Sequence, residues 1–512
     1  MFKMKESFYK NRKEYDKKRS EVTRSSCLFL VRFSKANEIS TEFHFLSYWK
    51  LKRNKSLIKA CFTLRDLSGK KLLSKREEII EVKSYCIQLK DFMSELKIEE
   101  FVGTFELEFF CESDLFISYP AVTVRYFGKN WHTGTHSTAR YLSELSGDES
   151  EEIRSQRSSV ESNISIFSDS DIKCNIILHN GQLQETNMNV ELVATNCIGQ
   201  KKIQVIPTIS MKKNETKILS VDDFFDYKSF LKNKRGMLTV KYNSCGVFPR
   251  VMFYNEKQNG EMNVEHSNFG NSKEADEDCF EIKDDKSTLK HCFPTFSGEG
   301  KNTEIDIFPT YPVQSKPYKL IRKDYDLYGK TLETKEIEIS KTDPFPQLLS
   351  SDTEKTVYTV LDYSHEEKLP KRFHTAIYYS LNKDTIPSII LDGPRPGYVP
   401  GQRTHWAPFF VQKDKLTSKI YLCSRGYEFI KKGTKLDFNI SFYGSEEKEN
   451  FSIKYTIKSE ENLELDISEI LKGKKWKSNF GWAYIQFTEP TYFKAYFVSE
   501  YMKNSIMSNH AF

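Results

Sequence analysis

A chain of 512 residues is longer than one hydrophobic core serves and implies roughly three to five domains. Its 77 basic side chains against 71 acidic ones leave a formal charge of +6, which generates no global field for a polyanion and so excludes a charge-driven nucleic-acid binder. Phe (38) and Tyr (27) far outnumber Gly (22) and Pro (16), a balance suited to pleated, half-buried strands, and no stretch approaches the roughly 18 apolar residues of a membrane helix.

Residues 1–26 read as a solvated basic tail, because "MFKMKESFYKNRKEYDKKRSEVTR" holds nine Lys or Arg against four acids. The apolar run that follows, "CLFLVRF", is shorter than a signal-peptide core and is broken by Arg32. The expected location is therefore the cytoplasm, with export by a non-classical route left open. A first unit spans 27–143. In it the strand-like "IKACFTLR" runs into "DLSGKK", where Asp66 and Gly69 supply the acceptor and the positive φ of a tight hairpin. Ile87, Leu89, Asp91 and Phe92 then alternate as a strand that turns or crosses over helically at the acid. Gly103 opens a strand with Phe105, Leu107 and Phe109 inward. Pro120, lacking a backbone donor, suits the first residue of the unit's last strand, "YPAVTVRYF". Residues 144–162, "ELSGDESEEIRSQRSSVES", have the acidic, serine-bearing character of an exposed linker.

These signals then repeat. "NCIGQKK" at 196 and "DLYGKT" at 326 restore the turn with a period of 130 residues, and Gly444 marks a weaker fourth copy. Leu219, Val221, Asp223 and Phe224 match the first alternation, as do Leu465, Ile467, Glu469 and Ile470. Gly236 precedes Leu238, Val240 and Tyr242; Gly481 precedes Ala483, Ile485 and Phe487. Pro249, Pro370 and Pro490 repeat Pro120. A one-residue slip would turn such a set to the wrong face, so the preserved register argues for one repeated fold. The further units are 163–269, 291–392 (the most degenerate) and 408–512, separated by an acidic linker at 270–290 and a Pro/Gly-rich connector at 393–407. Each has the size of one sandwich. The expected fold class is all-β, a tandem array of about four immunoglobulin-like antiparallel β-sandwich domains. The pattern resembles tandem immunoglobulin-like domains at fold level only, since the Cys, Trp, Cys core of antibody domains is absent.

The ten cysteines stand singly with no CxxC pair, which points to free thiols; Cys61 with Cys111 and Cys197 with Cys245 have spacings that suit an inter-sheet bridge. His136, His266 and His510 follow Pro120, Pro249 and Pro490 by 16, 17 and 20 residues, which makes them equivalent strand ends. His132 and His136 are the candidate metal ligands, yet four residues along a strand is about 13 Å, so sharing an ion requires Gly134 to bend the chain. Within 391–409, Arg395, Tyr398, Arg403, His405 and Trp406 combine aromatic faces with planar donors, a chemistry for sugars, carboxylates or phosphates. Arg125, Arg250, Arg372 and Lys494 lie at mixed offsets from the prolines and read as surface charges. Asp362, His365 and Glu366 read as a charged hairpin loop. No GxSxG, P-loop, GxGxxG or HExxH pattern is present, and no cofactor is expected. The chain thus reads as a non-catalytic binding or scaffold protein for a protein or glycan partner. A carbohydrate-active hydrolase or transferase with its site near 391–409, and a structural assembly component, are the alternatives.

Overall fold

The computed structural model describes residues 23–53, 57–111, 121–136, 160–181, 185–232, 234–242, 251–271, 279–281, 290–298, 300–311, 318–340, 346–349, 355–363, 368–370, 372–382, 385–392, 402–424, 430–491 and 493–512. The fold is all-β. The first unit runs β1 (Thr23–Ser34), β2 (Ser40–Leu46), α1 (Tyr48–Arg53), β3 (Ile58–Asp66), β4 (Lys71–Glu78), β5 (Ser84–Gln88), α2 (Leu89–Leu96), β6 (Glu100–Cys111), β7 (Val122–Phe127) and β8 (His132–His136). Its two sheets have the orders β1-β6-β3-β4 and β5-β2-β7-β8.

The second unit comprises β9 (Val160–Ile166), β10 (Ile172–His179), β11 (Glu185–Thr195), β12 (Lys201–Met211), β13 (Thr216–Ser220), α3 (Tyr227–Leu231), β14 (Gly236–Tyr242), β15 (Met252–Lys257), β16 (Met262–His266) and an added edge strand β17 (Asn268–Asn271). After β18 (Cys279–Glu281), the third has β19 (Lys290–Thr295), β20 (Ser297–Gly298), β21 (Lys301–Tyr311), β22 (Tyr318–Tyr325), β23 (Thr331–Ile339), β24 (Gln347–Leu349), β25 (Val357–Asp362), β26 (Lys368–Pro370), β27 (Arg372–Ser380) and β28 (Ser388–Asp392). The fourth has β29 (Gln402–Phe410), β30 (Leu416–Ser424), β31 (Lys435–Tyr443), β32 (Phe451–Lys458), β33 (Leu463–Asp466), α4 (Ile467–Leu471), β34 (Phe480–Thr491), β35 (Phe493–Tyr501) and β36 (Ser505–His510). With the short β20 and β26 set aside, all four units share one topology: first-sixth-third-fourth strands in one sheet, fifth-second-seventh-eighth in the other. Several strands begin inside stretches that read as tail, linker or connector, namely β1, β9, β18, β19 and β29.

Period-two patterning explains the sandwiches. In β31, Leu436, Phe438, Ile440 and Phe442 are buried, while Lys435, Asp437 and Asn439 face solvent. The sixth strands carry the inward sets read from the sequence: Phe105, Leu107 and Phe109; Leu238, Val240 and Tyr242; Ala483, Ile485 and Phe487, all buried. The fifth strands end early, however. Alternation stops at Gln88, Ser220 and Asp466, and a short helix or 3-10 turn begins. Asp466 caps α4 by accepting from the Glu469 amide at 3.2 Å.

The strand after each proline is not the last. It is the seventh, and an eighth follows across a hairpin; that strand is too short and polar ("HTGTH", "MNVEH") for alternation to reveal it. Pro490 lies inside the end of the sixth strand β34 and Pro370 in β26, while Pro120 and Pro249 lie outside the described residues. An immunoglobulin constant domain shares the second-fifth and third-sixth pairings, but there the first strand lies beside the second and the seventh beside the sixth. Here these two have exchanged places, the fourth strand pairs with the third, and the eighth extends the other sheet.

The row of units closes on itself. Ile177, Met252, Tyr254, Met262 and Val264 of the second unit pack into the first unit's core. Phe308, Ala376, Tyr378, Ile389 and Leu391 of the third do the same to the second, and Tyr421, Cys423, Tyr496 and Val498 of the fourth to the third. At the fourth boundary His44 on β2 meets Phe410 and Phe480, with ring centroids 4.9 Å apart in both pairs. Each unit therefore offers the same sheet to its predecessor, a head-to-tail contact that closes after four copies. The eighth strands meet at the centre: β8 touches β16 and β36, and β28 touches both of these.

Third-to-fourth-strand turns seal three of the four boundaries. The Thr216 amide donates to Leu67 O (2.9 Å), the Asn462 amide to Leu327 O (2.9 Å) and the Ser84 amide to Gly444 O (2.8 Å). At Gly329 (φ +75°) a Cβ would sit 2.3 Å from Glu460 O, so glycine is required there by both the turn and the neighbouring unit.

Candidate functional site

At one end of the central axis the seventh-to-eighth hairpins of all four units surround a cavity of about 560 Å³. Its walls include Lys129, Asn130 and Trp131 from the first unit, Gln258, Asn259 and Glu261 from the second, Thr385 from the third and Asn504 from the fourth, with Arg32 and Asn37 beside them. The lining is rich in amides. Each amide carries a donor and an acceptor, of which Asn259 Oδ1 already accepts from the Glu261 amide at 2.9 Å and Asn37 Nδ2 already donates to Ser34 Oγ at 2.9 Å, while Trp131, packed over Gly128, adds an apolar wall. Two charges are fixed by neighbours: Arg32 donates to Glu256 at 2.7 Å, and Glu261 accepts from the Ile386 amide at 2.8 Å. Burial raises the Glu261 carboxyl above its ordinary value, against the lowering effect of that amide.

At the other end of the eighth strands lies a histidine cluster. His136, His266 and His510 are the last residues of β8, β16 and β36, and each offers one ring nitrogen within 4.8 Å of the others. Their rings meet edge to face, with centroids 4.4 Å (His136–His266), 4.5 Å (His136–His510) and 5.7 Å (His266–His510) apart. The same position in the third unit is Asp392, which is engaged by Lys494 and lies 3.2 Å from both Tyr496 Oη and His291 Nε2. The strand-end equivalence is legible in the sequence; the convergence is not, because it arises from ring closure.

The other sequence-derived candidates are dispersed. His132 is a buried residue of a regular strand, with Gly134 introducing no bend. Its Nδ1 accepts from Arg125 at 3.4 Å and its Nε2 donates to Ser499 O at 3.0 Å, so it works at the first–fourth boundary, apart from the cluster. Burial, then the Arg125 charge, push its pKa well below the usual histidine value and keep it neutral. Gly134 lets β36 approach instead, since a Cβ there would sit 2.4 Å from Met507 Cε. Of the 391–409 group, Arg395 and Tyr398 lie outside the described residues. His405 is buried on β29, Trp406 stacks on Tyr48 (5.3 Å, 17°), and Arg403 is exposed near Glu489 at 3.7 Å; none lines the axial cavity.

The expectation of surface charge fails for two residues. Arg125, 12% exposed, pairs with Glu42 at 2.7 Å, and Lys494, 14% exposed, with Asp392; both face neighbouring units, which strand offsets alone do not reveal. Arg250 lies outside the described residues. Asp362 is likewise buried, between Lys290 (3.7 Å) and Lys323 (3.4 Å), whereas His365 and Glu366 lie outside the described residues. Cys61 and Cys111 are free thiols, as is Cys197, with Cys245 outside the described residues. No helix among the described residues is long and apolar enough to cross a membrane. No protein-family model matches the chain, and no curated protein matches it in sequence.

Proposed function

We propose that the protein is a non-catalytic binding protein whose ring gathers four hairpins into one mouth for a glycan. The observation that carries this reading is the shared cavity: a ligand there touches every unit, so recognition loops sit on a frame braced by all four cores. Amide side chains match the alternating donors and acceptors of sugar hydroxyls, and Trp131, largely buried in the first unit's core, contributes the exposed remainder of its ring as an apolar wall. The test is a glycan-array screen of the intact chain against Trp131→Ala and Asn259→Ala. Both substitutions are expected to weaken binding by more than about tenfold. Equal array profiles for all three proteins would remove the mouth from the argument.

A second reading, as an assembly component, is favoured by the free edge strand β12. Ile203 and Val205 stand exposed (60% and 52%) on one of its faces, a feature that soluble sheets usually blunt. Concentration-dependent association abolished by Val205→Lys would support it.

A further inference from the structure

We propose that His136, His266 and His510 bind one divalent transition-metal ion of the zinc type, clamping the first, second and fourth units at the point where the ring closes. The three side chains come from one repeated position, and one ring nitrogen of each lies within 4.8 Å of the other two. Tetrahedral imidazole ligands at the usual 2.0–2.1 Å from zinc stand about 3.3 Å apart, so side-chain rotations closing each gap by at most about 1.5 Å complete the site. The ring pairs about His136 are near-perpendicular, at 87° and 80°, and meet edge to face, so the rotations that close the gaps also have to turn each ring edge toward the ion.

The surroundings have the form of a metal's outer shell. His266 Nδ1 lies 3.1 Å from Ser267 O, a carbonyl that can only accept; this fixes the proton on Nδ1 and presents Nε2 to an ion. Glu265, 1% exposed, brings a negative charge 3.4 Å from that Nε2. It is held by Thr135 Oγ (2.8 Å) from the first unit, by the His266 amide (2.7 Å) from the second and by Asn509 Nδ2 (3.0 Å) from the fourth. The three units that supply the imidazoles therefore also position the carboxylate that balances a dication. The third unit contributes neither, because Asp392 is engaged by Lys494. An all-imidazole set suits Zn²⁺, Co²⁺, Ni²⁺ or Cu²⁺ rather than the oxygen-seeking Mg²⁺ or Ca²⁺, and His510, only partly buried, leaves a fourth position open to water.

The experiment uses the full chain stripped with a chelator and titrated with Co²⁺, then Zn²⁺. Expected are one equivalent of Co²⁺ with a tetrahedral visible band, its displacement by Zn²⁺, and an affinity loss of more than about 100-fold in His510→Gln and His266→Gln. Glu265→Gln is expected to lose about 10- to 100-fold. X-ray absorption on the zinc-loaded wild type, which needs no variant to fold, is expected to show three imidazole ligands at about 2.0 Å. A folded wild type that takes up no stoichiometric ion, a loaded ion with fewer than three imidazoles, or folded His510→Gln with unchanged affinity overturns the proposal.

Discussion

Replacing Gly329 with alanine tests whether the third-to-fourth-strand turns lock neighbouring units together. Two costs arise. At φ +75° an L side chain is strained by about 1–2 kcal/mol. The new Cβ would also lie 2.3 Å from Glu460 O, roughly 1 Å inside an ordinary contact, so the turn must withdraw from the fourth unit. That withdrawal stretches two bonds across the boundary, from the Asn462 amide to Leu327 O (2.9 Å) and from Asn462 Nδ2 to Asp326 O (3.1 Å). At about 1 kcal/mol each, the total destabilisation comes to about 3–4 kcal/mol. Gly433→Ala is the matched control, since its φ is +81° with nothing within 4 Å of the new methyl, so only the strain of about 1–2 kcal/mol is expected. Urea denaturation followed by tryptophan fluorescence reads the difference. Equal midpoints for the two variants would refute a sealing role for the turn.

Further perturbations probe the other boundaries. Arg235 binds Asp306 through two bonds of 2.8 Å between the second and third units; Arg235→Met strands that fully buried carboxylate and is expected to cost about 3–5 kcal/mol, part of which Arg235→Met/Asp306→Leu recovers in the same denaturation assay. Tyr378→Phe deletes the 2.7 Å bond to Ser165 Oγ across that boundary and is expected to lower stability by about 0.5–1.5 kcal/mol. Burial alone would raise the Glu42 carboxyl, but the Arg125 charge and then His44 outweigh it and hold it at about 2. A folded pKa below the unfolded value near 4.5 stabilises above pH 4.5, and that contribution disappears as pH falls from 4.5 to 2. Acid unfolding curves should therefore show Glu42→Gln losing on the order of 3 kcal/mol at neutral pH and flattening in that window; an acid limb as steep as the wild type's would refute the assignment.

Closure changes what the repeat means for function. An open row of sandwiches exposes one sheet of its first unit and a long lateral surface. In the ring every fifth-second-seventh-eighth sheet is covered by the preceding unit, so the surfaces left for recognition are the axial hairpins, the outer edge strands β4, β12, β23 and β32, and the solvent-facing side of the other sheet. Both ends of the axis carry polar chemistry: amides at the mouth and imidazoles at the far end.

The sequence by itself determined the strand class, the inward faces of the sixth strands and the hairpin turns, because alternation and turn chemistry are local and survive in each copy of the repeat. It also marked His136, His266 and His510 as equivalent. Ring closure decided the rest. Asn130, Asn259 and Asn504 share a cavity, the three histidines meet, and Arg125 and Lys494 are drawn mostly out of solvent because four interfaces rotate each unit by an amount that no local pattern encodes. For the same reason Trp406 and His405, conspicuous among glycines and prolines in the sequence, serve packing: β29 is a first strand whose aromatic side chains lie against Tyr48 and Phe487.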